Sequence, residues 1–85
     1  MKVTVLYFAR LREALGRDRE TLVLPAEVAT VGALRAWLIA RGAPWAEAFN
    51  DIKRIRAAVA QQMASDETGL TDGAEVAFFP PVTGG

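Results

Sequence analysis

Only one stretch of this chain is both long and regular enough to make a major helix, and that restricts every other segment. In TVGALRAWLIARG, Thr30 to Gly42, residues Leu34, Trp37, Leu38 and Arg41 recur at i, i+3, i+4 and i+7, the spacing of one helical face. Thr30 stands where a side-chain oxygen caps a first turn, and Gly42 where a left-handed residue ends a last one. A single apolar stripe must be buried against another layer. The flanking segments read as strands that supply it.

Met1 to Ala9, MKVTVLYFA, is rich in β-branched and aromatic residues and reads as a strand. Val3, Val5 and Tyr7 point to one side; Thr4, Leu6 and Phe8 point to the other. Apolar residues on both sides place this strand at the centre of a sheet or under a second cover. ARLREALG then carries Leu11, Ala14 and Leu15 at helical spacing, with Gly16 as its left-handed cap. A second strand is expected from Glu20 to Leu24, ended by Pro25. After the main helix, PWAEAF predicts one more helical turn with Pro44 at its first position, and Trp45 and Phe49 are spaced to fold back on the core. RIRAAVAQQMAS reads as a third strand with a hairpin turn near Gln61 and Gln62. In LTDGAEVAFF, Asp72-Gly73 signals a turn, and Glu75 to Phe79 form a strand with Val76 and Phe78 on one face, Ala77 and Phe79 on the other. Strand, strand, helix, then two or more strands is an α+β layout. One main helix crosses one face of a mixed sheet, and the first and last strands pair at its centre. The domain spans residues 1–79, followed by an extended tail, 80–85.

Size and composition narrow the chemistry. A domain of 85 residues has one core and little room for an enclosed site of about 300 Å³ or more, so the walls of any reaction site are expected from a partner. There is no Cys and no His, which removes disulfides, thiolate or imidazole metal sites, and Ser-His or Cys-His nucleophiles. Ten basic residues balance ten acidic ones, so nothing steers the molecule to nucleic acid. The opening segment is interrupted by Arg10, Arg12 and Glu13 and reads as neither a signal peptide nor a membrane span; a cytoplasmic protein is the expectation. No phosphate-cradling loop is present: Gly69 and Gly73 flank a turn. Asp18 with Glu20, and Asp66 with Glu67, read as solvated surface. KRIR, Lys53 to Arg56, is the densest basic run. It suits either a docking patch for an acidic or phosphate-bearing partner or a charged guard on an exposed edge.

The tail, FFPPVTGG, carries the strongest functional signal. With glycine at about 7% of residues, two terminal glycines arise by chance in about 0.5% of chains. Pro80 and Pro81 remove two backbone donors and stop the sheet ladder. They also push the residues before them toward extended conformations. Val82 and Thr83 follow, then Gly84 and Gly85, which lack Cβ. Pro80 to Gly85 reach at most about 20 Å. A stiff lead with a slender end suits a thread that enters a narrow tunnel and presents the Gly85 carboxylate. A carboxylate is a poor electrophile. It needs a leaving group, as an acyl phosphate or acyl adenylate, before an amine or a sulfur can attack it. The chain has no nucleotide-binding motif, so activation is expected from another protein.

LTDGAEVAFFPPVTGG, Leu70 to Gly85, resembles the C-terminal signature of the small subunit of molybdopterin synthase, and VLYFARLREALG, Val5 to Gly16, is similar to that family's first strand and helix. Ala74 replaces the more usual Asp before the glutamate, and AVAQQ at 58–62 stands where the family often has Val-Asn-Gln. The resemblance covers the whole chain and implies a ubiquitin-like β-grasp fold and a sulfur carrier that is not catalytic alone. It implies an E1-like enzyme that adenylates Gly85 with ATP, and a persulfide-bearing sulfur donor that converts the terminus to a thiocarboxylate. It also implies a large synthase subunit, in a heterotetramer, where the sulfur passes to a cyclic pterin precursor to build the dithiolene of molybdopterin. No metal or cofactor is expected on this chain. Hydrophobic partner contacts are implied at Phe8, Met63 and Phe79, beside a tail of Pro80, Pro81, Val82, Thr83 and Gly84. The strands are apolar on both sides, so Phe8 and Phe79 are either docking residues or core. Two other uses of such a tail remain open: a sulfur carrier of a thiamine-type pathway, and a ubiquitin-like protein modifier.

Overall fold

The computed structural model describes residues 1–81; the four residues of the expected thread, Val82, Thr83, Gly84 and Gly85, lie outside the described residues. The strand that opens the chain, β1 (Lys2–Tyr7), lies at the heart of the molecule. Its Val3, Val5 and Tyr7 are fully buried, which is why a β-branched, alternating segment forms here. Helix α1 (Ala9–Leu15) follows and buries Leu11 and Leu15 but leaves Ala14 exposed. Gly16 ends it at φ 71°, donating its N–H to the Arg12 carbonyl, the left-handed closure that glycine permits without a Cβ penalty. Strand β2 (Arg19–Val23) returns antiparallel to β1, one residue earlier than the sequence suggests.

Helix α2 (Val31–Ile39) is the main helix. The Thr30 hydroxyl accepts a 3.1 Å hydrogen bond from the Ala33 N–H, so the expected cap forms. Val31, Leu34 and Leu38 make the buried stripe, while Trp37 is half-buried and Arg41 lies beyond the last turn. The chain then turns through Gly42, at φ 86°, into α3 (Trp45–Asp51). This helix is twice the single turn expected. Ala46, Glu47 and Ala48 are strong helix formers, and Trp45 and Phe49, four apart, both enter the core. The two shorter helices join α2 over the same core on one face of the sheet.

Strands β3 (Arg56–Val59) and β4 (Gln62–Ala64) form a hairpin. Its two-residue turn is Ala60-Gln61, both at positive φ, one position before the expected turn. That is the twist a tight hairpin prefers, made here without glycine or asparagine. Strand β5 (Glu75–Phe79) runs parallel to β1 and antiparallel to β3, giving the order β2-β1-β5-β3-β4. The parallel pair sets Val5 beside Val76 and Tyr7 beside Phe78, and both β5 residues are fully buried beneath the helices. Phe78 meets Phe49 edge-on at 5.4 Å between ring centres, a favoured aromatic geometry. The sheet's last central strand thus ends at Phe79, where the prolines begin.

Candidate functional site

The register of β5 determines what the tail leaves behind it. Val76 and Phe78 face the helices, so Ala77 and Phe79 face away. Across the open side, Met63 lies opposite Ala58, Ala58 opposite Ala77, and Ala77 beside Leu6. An apolar row therefore crosses four strands. In the next row Phe79 is opposite Arg56. Phe8 falls one step past the last β1–β5 pair and donates its N–H to the Phe78 carbonyl at 3.2 Å. Phe8 and Met63 are 45% and 61% exposed, whereas Phe79 is half-buried. None of the three is among the buried core residues, so the core reading of Phe8 and Phe79 does not hold. Exposed aromatics and methionine on one face are the composition of an interface.

A shallow concavity of about 360 Å³, lined by Arg56, Met63, Phe79 and Pro81, lies at the root of the tail. A second, of about 370 Å³, shares Pro81 and is bordered by Arg10, Asp51, Lys53, Arg54 and Pro80. The first has no carboxylate or amine among its described lining residues; in the second, Asp51 at the end of α3 and Lys53 in the turn after it are both exposed. Among the described residues no group of three acidic side chains could hold a metal, and no helix is long and apolar enough to cross a membrane. The arrangement sets an open apolar face beside the root of the tail.

The sequence reading missed the residues that brace this face from behind. Glu20, expected as solvated surface, is largely buried with its side chain 11% exposed. Its carboxylate accepts the Tyr7 hydroxyl at 2.7 Å, Arg41 at 3.0 Å and Arg17 at 3.2 Å. A carboxylate so largely withdrawn from water needs such partners, and they come from β1, the segment just after α2 and the loop after α1. Arg41 also lies 3.7 Å above the Trp45 ring, a cation–π contact. Burial first, then the Glu20 hydrogen bond and charge, push the Tyr7 phenol well above its ordinary value, while the Trp45 indole and Arg41 oppose the shift. The Trp45 Nε1 is buried without a full hydrogen bond of its own. Tyr7 immediately precedes Phe8, so this cluster anchors the strand end that presents the open face. Arg35 pairs with Asp66 at 3.4 Å on the surface.

A mixed sheet with a parallel central pair, helices on one face only, and a central strand that leads into Pro-Pro and Gly-Gly defines a ubiquitin-like β-grasp protein of the carrier type. The chain belongs to the ThiS family, whose model matches residues 5–85. It is 48% identical over 83 residues to the molybdopterin synthase sulfur carrier subunit of Escherichia coli K12, covering 98% of this chain and 99% of that one. A structure from Pyrococcus furiosus, described as a molybdopterin converting factor subunit 1, has a TM-score of 0.71 at 31% identity over 96% of this chain and 99% of that one. The SAMP1 structure from Haloferax volcanii superposes with a TM-score of 0.77 at 26% identity, with both chains fully covered.

Proposed function

We propose that this protein is the sulfur carrier subunit of a molybdopterin synthase, and that its Gly85 carboxylate is the group that carries sulfur. The observation that supports the reading most is the course of β5. The central strand ends at Phe79 and hands the chain to Pro80-Pro81 at the border of an open apolar face. A near full-length relationship to a protein named as such a carrier agrees with it.

The chemistry follows from the weakness of a carboxylate as an electrophile. An ATP-using, E1-like partner lets a Gly85 carboxylate oxygen attack the α-phosphorus, with pyrophosphate leaving. The terminal sulfur of a persulfide then attacks the acyl carbon and AMP leaves. A thiol cleaves the resulting acyl disulfide, releasing the thiocarboxylate and leaving a disulfide on the donor side. In the large synthase subunit the thiocarboxylate sulfur forms a C–S bond to an oxygen-bearing carbon of the cyclic pterin precursor, whose C–O bond breaks and whose oxygen leaves; water then cleaves the acyl–sulfur bond, so the sulfur stays on the pterin and Gly85 is a carboxylate again. Two such rounds supply the two sulfurs of a dithiolene. This chain provides the acyl group, a slender Gly84, and a docking face of Phe8, Met63 and Phe79. The acids, bases and nucleotide pocket belong to its partners, in keeping with a sequence that has no His and no Cys.

Reconstitution with a large synthase subunit, an adenylating enzyme, ATP, a sulfur source and the pterin precursor tests this. Full-length chain is expected to yield the dithiolene product, and a chain lacking Gly85 to yield none. Product from the shortened chain, or no product from the full chain with a competent large subunit while a thiazole-forming system accepts it, would overturn the assignment.

A further inference from the structure

The Lys53–Arg56 run resolves into something more specific than a guarded edge. Lys53 and Arg54 occupy the turn after α3, and with Arg10 of α1 they border the second concavity at Pro80-Pro81. Arg56, opposite Phe79, borders the first. Four exposed cations therefore ring the root of the tail, with Asp51 the one carboxylate among the described residues lining either concavity, in a chain of zero net charge. The arginines that are ion-paired, Arg17, Arg35 and Arg41, bond Glu20 or Asp66. None of the four root cations has a carboxylate partner among the described residues.

The backbone is held in an unusual shape at two points of this ring. Ala9, which precedes Arg10, has φ 53°, and Arg54 has φ 59°. A left-handed conformation is unfavourable for a residue with a Cβ, and such strain gathers where a fold serves a site. Uncompensated like charge held on strained backbone contributes nothing to folding that would explain it.

Chain length says what must face this ring. Gly85 lies four residues beyond Pro81, a reach of at most about 14 Å. When Gly85 reaches a reacting centre inside a partner, the partner's surface around the tunnel mouth is brought against the tail root. We infer that Arg10, Lys53, Arg54 and Arg56 form a basic collar that docks on an acidic rim around the tunnel through which a partner receives the Gly85 end. The inference rests on the carrier reading proposed above. It adds a recognition element shared by the adenylating enzyme and the large subunit, since both receive the same end. The apolar row then supplies contact area, and the collar supplies rate and orientation, the usual division between the two kinds of surface.

The test uses the full chain with Arg10→Gln, Lys53→Gln and Arg54→Gln combined, and stopped-flow association with each partner at low and high salt. Wild-type association is expected to slow by about tenfold or more as salt rises, and the triple variant to be about tenfold slower at low salt and nearly salt-independent, converging with wild type at high salt. A single Lys53→Gln variant is expected to fall between them, which guards against a folding defect in the triple. Equal rates for variant and wild type at low salt with both partners would overturn the inference. So would unchanged partner association accompanied by loss of binding to a single-stranded RNA oligonucleotide, which would give the collar a different ligand. Sulfur loading of wild-type chain, read by intact mass in the same preparations, separates the two claims. If loading occurs and the charges are irrelevant, only the collar fails; if wild type never loads, the carrier reading fails first.

Discussion

Removing the Glu20 carboxylate is expected to cost this domain a large share of its stability, because one half-buried group serves three donors. The Tyr7 hydroxyl, on a residue 1% exposed, loses a 2.7 Å charge-assisted hydrogen bond, worth about 1.5–3 kcal/mol. Arg41 and Arg17 lose ion pairs, but their side chains are 27% and 45% exposed, so each contributes about 0–1 kcal/mol. Glu20→Ala should therefore destabilise by about 1.5–5 kcal/mol, out of the 5–15 kcal/mol typical of a whole domain. In a domain of this size that lowers the melting temperature by about 4–8 °C per kcal/mol. Tyr7→Phe removes the donor without emptying the site, so it should cost about 1–2 kcal/mol alone and much less in the Glu20→Ala background. Urea titrations of wild type, both single variants and the double variant, followed by circular dichroism, measure the coupling directly. A coupling of about 1 kcal/mol or more supports the network. If the two costs simply add within about 0.5 kcal/mol, or Glu20→Ala costs less than that, the carboxylate does not hold the structure in the way its contacts indicate.

Alkaline pH acts on the same cluster from the other side. The Tyr7 phenol ionises near 10.0 in an unfolded chain and well above that in the folded one, so its contribution is complete below about pH 10 and is lost as pH rises further; the slope of stability against pH above 10 should flatten in Tyr7→Phe. On the open face, Phe79→Asp with Met63→Asp should leave the circular dichroism spectrum and melting temperature nearly unchanged. Binding to a large synthase subunit should weaken by about tenfold or more, measured by calorimetry. Unchanged affinity would remove the apolar row from the docking surface.

What was legible in the sequence was what local chemistry controls. Thr30 capped the main helix, Gly16 and Gly73 took the left-handed turns, and Val76 and Phe78 faced inward, because each depends on near neighbours in the chain. The Ala60-Gln61 turn carried no such mark, since neither residue favours positive φ and hairpin pairing imposes it. Glu20 looked like surface because its partners, Tyr7 and Arg41, are 13 and 21 residues away and arrive only through folding. The same holds for the row from Met63 to Leu6 and for the basic collar. Lys53 to Arg56 were visible as a run, but Arg10 and the proline root joined them only once β5 was laid beside β1 and β3. The apolar alternation of Leu6, Ala58 and Ala77 was the available hint, and register alone turned it into a surface. The end of β5 at Phe79 was readable for the opposite reason: the prolines that follow act on their own backbone.

The carrier reading stands or falls on one atom at the end of the chain. The protein should be isolated from its native host, with the molybdenum cofactor pathway active, and its intact mass measured together with that of its C-terminal peptide. Replacement of one oxygen by sulfur, located at Gly85, is the predicted result. A terminus found only as carboxylate under those conditions, or found joined to protein lysines through Gly85 with no sulfur-bearing form, would contradict it.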